Sequence, residues 1–425
     1  MSRIKALSTL FLALLALLMP GLASAQNQFQ RESSLNNWST AALDIDFTTG
    51  VLDPRITFTR ASTATRINAA GLVETVGVNV PRFDHDPVTL APRGLLVEEG
   101  RTNLVLQSAN LSVSPWSTFT SGAGVVPVVT ANAGISPEGT MTASRVQLNA
   151  GGGTVSDRSI RLQTFTTPSG AGFRRVWVKA YSAGEVGKTI IHLVEAVTGQ
   201  TSTSITLTAN WQEITSPFTG DGNNKSLIFE CRGSLSSQTA DFLVWGVEVQ
   251  QGAFLTSHIP SGASPGTRSP DQPIISGANF TSWFNPVEGV FLADMERPPA
   301  VNAEPFSVWD GANAKGLEVY LNSATTMAGF VADTTTQANM VGPALPAGFS
   351  TCALAYKLND FAFTCNAGTL VVDSTGTVPA GLDRLVLGRY RASATYYNAR
   401  IRRLRYLAAK PTNVVISGLS ARIAQ

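Results

Sequence analysis

The chain has 425 residues, enough for two or three independent cores. Charged residues are only 14% of it and nearly cancel, 31 Lys+Arg against 29 Asp+Glu, so no long-range field draws the protein to nucleic acid or a strongly acidic polymer. Its three histidines, at 85, 192 and 258, have none of the spacings that cluster metal ligands.

Residues 1–25 read as a secretory signal peptide: Arg3 and Lys5 form a positive head, Ala6 to Met19 an apolar run, and Ala23-Ser24-Ala25 the small residues before cleavage at Gln26. The apolar run is short for a spanning helix and no later one is longer. The expectation is therefore a protein secreted to the periplasm, the cell surface or the medium, and not an integral membrane protein. Without Arg3 and Lys5 the mature part is balanced, 29 basic residues against 29 acidic.

Residues 26–109 form a small irregular N-terminal platform with short strands. After a polar leader, Ala42 to Phe47 alternates, with Leu43, Ile45 and Phe47 on one side and Asp44 and Asp46 on the other. Ile56 to Thr59 is a second short strand. From Phe58 to Ser108, short apolar pieces are interleaved with turn residues and with Arg60, Arg66, Arg82, Arg93 and Arg101. Glu74, Asp84, Asp86, Glu98 and Glu99 are partners for their guanidinium forks, a structural use of these arginines. Asp84-His85-Asp86 reads as a solvated turn ended by Pro87, with a hydrogen-bonded cluster or weak cation site as the alternative.

Residues 110–260 carry eight strand-like pieces separated by Gly, Asn and Ser, the pattern of a jelly-roll β-sandwich of carbohydrate-binding type. Trp177, Trp211 and Trp245 belong to its core or sheet edges, and Arg174-Arg175 marks a bulge. Residues 261–274, rich in Pro and Gly, read as a linker. A second sandwich follows over 275–410, and 411–425 is a terminal strand or tail. In the second sandwich Cys352 and Cys365 stand symmetrically about a hairpin at Leu358-Asn359, which opposes them across a ladder as a disulfide; two reduced core cysteines are the alternative. Cys231 is left as a buried small hydrophobe. Ile401 and Leu404 are out of phase, so a bulge lies between them.

Taken together, Phe58, Arg60-Ala61-Ser62, Pro81-Arg82-Phe83, Gly94-Leu95-Leu96-Val97-Glu98 and Arg101-Thr102-Asn103-Leu104 resemble a run in modular tail and tail-fibre-associated proteins of bacteriophages and prophages. Ile259-Pro260, Thr267-Arg268 and Asp271 match that family's closing signature, with His258 at its aromatic position and Ser261 at its threonine. Asp383-Arg384-Leu385, Leu387-Gly388 and Ile401-Arg402-Arg403-Leu404 resemble the closing strands of a concanavalin A/laminin-G-like domain. The resemblance implies an all-β chain: a jelly-roll sandwich, then a concanavalin A/laminin-G-like sandwich. The signal peptide departs from cytoplasmically assembled tail parts and points to an exported bacterial protein using the same modules.

Chemistry is sparser. No nucleophile elbow and no phosphate loop is present. Tyr390, Arg391, Tyr396, Tyr397, Arg400 and Arg402 are the raw material for a polysaccharide lyase acting on uronates, or for gripping a sugar. The candidates for glycan binding are Tyr390, Tyr396, Tyr397, Arg400 and Trp309. Laminin-G-like domains often hold calcium; Asp294, Glu296, Asp310 and Asn313 are oxygen donors without a diagnostic spacing, and no cofactor is expected. The leading expectation is a non-enzymatic adhesion protein whose partner is a polysaccharide or cell-surface glycan. The alternatives are a structural assembly module, for instance a homo-oligomer, and a uronate lyase.

Overall fold

The computed structural model describes residues 41–200, 203–312, 314–391 and 393–421, so the signal peptide and the polar leader lie outside the described residues. The described chain is built from antiparallel strands, with the short helices Ala278–Thr281 and Asn413–Leu419. It divides into two compact units. One is Thr48–Leu52 with Thr57–Pro273; the other is Asp53–Ile56 with the chain from Ile274 and the segment before Thr48. Among the described residues no helix is long and apolar enough to cross a membrane.

The first unit contains a sandwich of two five-stranded sheets. One runs in the order Gln212–Asp221, Ser169–Ala180, Thr239–Gln251, Ala143–Asn149, Val125–Gly134. The other runs Ser204–Thr206, Thr189–Val194, Asn224–Arg232, Arg158–Thr166, Ser117–Ser121. Alternation drives this arrangement: Val176, Val178, Phe242, Val244 and Val146 from the first sheet meet Ile190, Leu227 and Phe229 from the second in one core. The bulge expected near Arg174-Arg175 is present as a register shift between Arg175 and Trp177.

From Thr57 onward the platform is part of the same compact unit, whereas its first strand, Leu43–Asp46, belongs to the other one and not to a single N-terminal platform. The platform's hairpin, Ala64–Ile67 with Val73–Val76, packs Ile67 and Val73 against Leu243 and Trp245. The segment read as a linker is likewise built in: Gly266–Arg268 pairs with Arg101–Asn103, and Arg268 and Asp271 are 1% and 0% exposed. Buried charge must be paired, and here three guanidinium groups share two carboxylates. Asp271 receives Arg60 Nη1 at 3.0 Å and Arg82 on its other oxygen. Glu98 receives Arg82 at 2.7 Å, Arg268 at 2.9 Å and the Ser257 hydroxyl at 2.6 Å. The backbones close the circuit, with Glu98 N–H donating to Asp271 at 2.9 Å and Asp271 N–H to the Glu98 carbonyl at 3.0 Å. Burial alone would raise the Glu98 carboxyl, but Arg268 and Arg82 hold it well below the usual range. Two of the expected pairs stand nearby, Arg66 with Glu74 at 2.7 Å and Arg101 with Glu99 at 2.5 Å.

The second unit stacks two further sheets. One orders Val371–Asp373, Phe361–Cys365, Phe349–Lys357, Glu288–Glu296 and Ala399–Leu407, with Leu43–Asp46 paired to Ala399–Leu407. Leu43 and Ile45 are buried, and Asp44 on the opposite phase takes Arg403 at 2.7 Å and Arg405 at 3.0 Å. Glu288–Glu296 is apolar on both faces. Phe291 stacks toward Phe306 of the other sheet at 5.1 Å, while Val290 and Leu292 lie under Ile416 and Leu419 of the helix Asn413–Leu419. The C-terminal segment is thus a helix, neither a strand nor a tail: Ile416 and Leu419, three residues apart, share one face, and the small Ala353, Ala355 and Ala362 complete the surface it covers. The bulge expected between Ile401 and Leu404 falls at Arg402, where Asp294 faces Arg403 and Met295 faces Ile401. Cys352 and Cys365 oppose each other directly and are bonded, and Cys231 is buried and free.

Two outcomes follow. Asp271→Ala leaves Arg60 and Arg82 buried without a shared counter-charge, so unfolding of the first unit should be easier by about 3–5 kcal/mol; an unchanged denaturant midpoint would contradict this. Reducing Cys352–Cys365, which closes a 13-residue separation, should lower the stability of the second unit by about 3 kcal/mol, read by urea unfolding with and without reductant.

Candidate functional site

The second sheet of the second unit orders Gln272–Ser276, Arg384–Leu387, Phe306–Trp309, Lys315–Leu321, Thr326–Asp333 and Thr335–Ala344. In Lys315–Leu321 the alternation sends Leu317, Val319 and Leu321 to the core, and Gly316, Glu318 and Tyr320 to the opposite face. Register then fixes what stands beside them. Ser307, Glu318, Phe330 and Asn339 form one row across four strands. Tyr320 meets Phe330 edge-to-face at 6.2 Å, and its hydroxyl lies 3.2 Å from the side-chain oxygens of both Asn322 and Asn339. A phenol has one proton, so it donates to one of these at a time. Tyr320 and Phe330 are half-buried and the two asparagines exposed.

Behind the rings the face is acidic but closed. Glu318 is buried and accepts from Arg391 Nε at 2.6 Å. Arg391 is fixed in turn: its peptide N–H donates to Ser307 Oγ at 3.1 Å, and that hydroxyl donates to the Arg389 carbonyl at 3.1 Å. This ties the loop after Arg384–Leu387 down onto the sheet. Glu304, just before Phe306–Trp309, is 4% exposed and its Oε2 has no hydrogen-bond partner. Burial, reinforced by Glu318, pushes the Glu304 carboxyl up to about 9. Burial also raises Glu318, to about 7, against the pull of Arg391. At neutral pH Glu304 therefore keeps its proton and Glu318 stands near its midpoint.

The structure distributes the sequence candidates unevenly. Trp309 shares the face of Ser307 but is buried, with the Arg384 guanidinium 5.2 Å from its ring and no acceptor for Nε1. Tyr390 is half-buried beside the carboxyl cluster, 5.1 Å under the Arg391 guanidinium; burial and then Glu318 push its hydroxyl up. Tyr396 is buried and bridges Arg389. Tyr397 and Arg400 go elsewhere and converge on Glu296, the Tyr397 hydroxyl donating to its carbonyl and Arg400 Nη1 meeting its carboxylate at 2.9 Å. Asp294 and Glu296 lie on one sheet and Asp310 follows a strand of the other, while Asn313 lies outside the described residues. Among the described residues no group of three His, Cys, Asp or Glu is placed to hold a metal ion. Sequence reasoning missed Glu304, Glu318, Tyr320, Phe330 and Asn339. The signal was phase: in GLEVYL, Glu318 and Tyr320 alternate with the core residues.

No family model matches the chain. No curated protein matches it either. Among solved structures it shows distant similarity to the enzymatically active domain of bacteriophage CBA120 tailspike protein 4, at 17% identity over 35% of this chain and 21% of that one, TM-score 0.24. It is also similar to a family 11 carbohydrate-binding module from Clostridium thermocellum (15% identity, 38% of this chain, 99% of that one, TM-score 0.25). A tandem CBM22 domain from Paenibacillus barcinonensis Xyn10C gives 8% identity over 73% of this chain and 98% of that one, TM-score 0.26. The described residues form a multi-sheet, all-β structure, and its likeness to these tailspike and carbohydrate-binding domains is distant.

The carboxyl pair has a pH signature. Glu304 and Glu318 keep their protons in the folded state above the ordinary carboxyl range, whereas the unfolded chain releases them near 4.5. Their contribution to stability is therefore greatest below that value and is lost as pH rises toward about 7 for Glu318 and about 9 for Glu304. Glu304→Gln, which mimics the protonated acid, should flatten the alkaline part of this loss. Urea unfolding at graded pH reads it, and superimposable profiles for the two proteins would refute the assignment.

Proposed function

We propose that the protein is a secreted or surface-associated, non-enzymatic glycan-binding adhesion module. The observation that carries this reading is the exposed row on the second unit: the half-buried rings of Tyr320 and Phe330, set edge-to-face, beside the exposed amides of Asn322 and Asn339. A ring offers a sugar an apolar platform, and fixed amides orient hydroxyls without charge. Tyr390 stands at the rim of the same face, while Trp309 and Tyr396 pack beneath it. The low and balanced charge of the chain and the signal-peptide reading fit such a role.

Two other readings remain. The burial of Tyr396 and Tyr397 removes two rings from the sugar-binding candidates; for a structural module that binds other protein chains instead, light scattering should report an assembly without glycan affinity. A lyase needs a tyrosine that gives up its proton readily, yet burial and Glu318 push the Tyr390 hydroxyl the opposite way. Uronate polymers should accordingly yield no unsaturated product.

The mature protein should be retained on at least one cell-envelope or capsular polysaccharide, and Phe330→Ala or Asn339→Ala should weaken retention about tenfold, the effect of about 1.4 kcal/mol. Retention on none of a broad glycan panel would end this reading.

A further inference from the structure

The second five-stranded sheet of the first unit carries an unusual group of charges on its outer face. On Asn224–Arg232 the core takes Leu227, Phe229 and Cys231, so Glu230 and Arg232 fall on the other side. Register places Arg158 directly opposite Arg232, and Ile160 between Glu230 and Phe119. Like charges opposed across a ladder repel. One carboxylate holds them together. Glu230 is 0% exposed and takes Arg158 through Nε at 2.6 Å and Nη2 at 3.1 Å, and Arg232 through Nε at 2.7 Å and Nη2 at 3.1 Å. Among the described residues Glu230 is the one carboxylate in ion-pair contact with either arginine. Glu195, whose field also reaches Arg158, is exposed. The two arginine side chains are 24% and 30% exposed. Phe119, on the edge strand Ser117–Ser121, is 47% exposed, and its ring centroid lies 6.0 Å from the Arg158 guanidinium.

We propose that Arg158, Arg232 and Phe119 form a second binding site, whose ligand is a carboxylate-bearing glycan, a uronate polymer being the simplest. The site belongs to the first unit and does not rest on the rings of the second. Two guanidinium groups on one buried acid leave a cation in excess, and both Nη1 groups stand outside the forks to Glu230. Planar donors set side by side match a carboxylate in shape as well as in charge. Glu230 already fixes both side chains, so a ligand is met with little loss of their freedom. The exposed ring beside them selects what the carboxylate is attached to. A hexuronate carries an apolar C–H face and a carboxylate on one sugar ring, which suits an aromatic platform next to a cation. An acidic peptide satisfies the arginines and gives Phe119 no part.

The test uses the full mature chain with polygalacturonate, alginate and hyaluronate, each beside its methyl ester, and with poly-glutamate as a carboxylate polymer without sugar. At least one uronate polymer should be retained at neutral pH, and its ester about tenfold less, since esterification removes the charge and keeps the sugar. Phe119→Ala and Arg232→Gln should each weaken that retention about tenfold. Both variants should keep the parent's urea midpoint, because Phe119 is exposed and Glu230 retains Arg158 when Arg232 is replaced. Retention of no uronate polymer, equal retention of acid and ester, or folded variants that bind as the parent does would each overturn the site. Poly-glutamate held as tightly as the uronate and indifferent to Phe119→Ala would overturn the glycan assignment in favour of an acidic peptide. The reading of the second unit is decided separately, by neutral polymers and Phe330→Ala.

Discussion

Asp271 is the charge on which the first unit turns. Its two oxygens take Arg60 and Arg82, and Glu98 joins Arg82 to Arg268, so three guanidinium groups and two carboxylates are held out of water together. A buried ion has no favourable resting place without its partner, and every member of the group is another member's partner. The cluster therefore acts as a clasp. It holds the platform hairpins, the strand Arg101–Asn103 and the segment after the sandwich in one arrangement, around which Leu243 and Trp245 find their cover.

The second unit relies on a different device. The strand Glu288–Glu296 of its first sheet is apolar on both faces, one meeting the opposing sheet through Phe291 and Phe306 and the other capped by Ile416 and Leu419. The far face of the second sheet displays side chains of its own. Strand register, not loop conformation, lines up Ser307, Glu318, Phe330 and Asn339 there. A site set on strands inherits their rigidity, and the loop carrying Tyr390 is tied to it through Arg391 and Ser307. The acids behind the rings are kept from water by the same packing that orders the row, which is why their protonation differs from that of surface carboxyls.

Much of this was legible where a short-range rule applies. Alternation located Leu43 and Ile45 against Asp44, and phase breaks located the bulges near Arg175 and at Arg402. Symmetry about Leu358-Asn359 opposed Cys352 to Cys365. What escaped depended on distant partners. Pro265, Gly266 and Pro270 gave the stretch before Gln272 the look of a linker, while the residues that bury it, Arg60 and Arg82, lie 211 and 189 positions from Asp271. Composition likewise identifies aromatic residues without revealing which side of a sheet they face. Trp309 and Tyr397 are enclosed, whereas Tyr320 and Phe330 are half-open rings whose neighbours are defined only by pairing. The final helix escaped because its two anchoring residues have meaning only against a sheet whose outer face is also apolar.

The clasp also sets a minimum length for the first unit. Arg60 and Arg82 precede the carboxylate they share by 211 and 189 positions, so the arrangement is complete only in a chain that reaches Asp271. A fragment ending before that residue would retain Glu98 for Arg82 and leave Arg60 without its carboxylate.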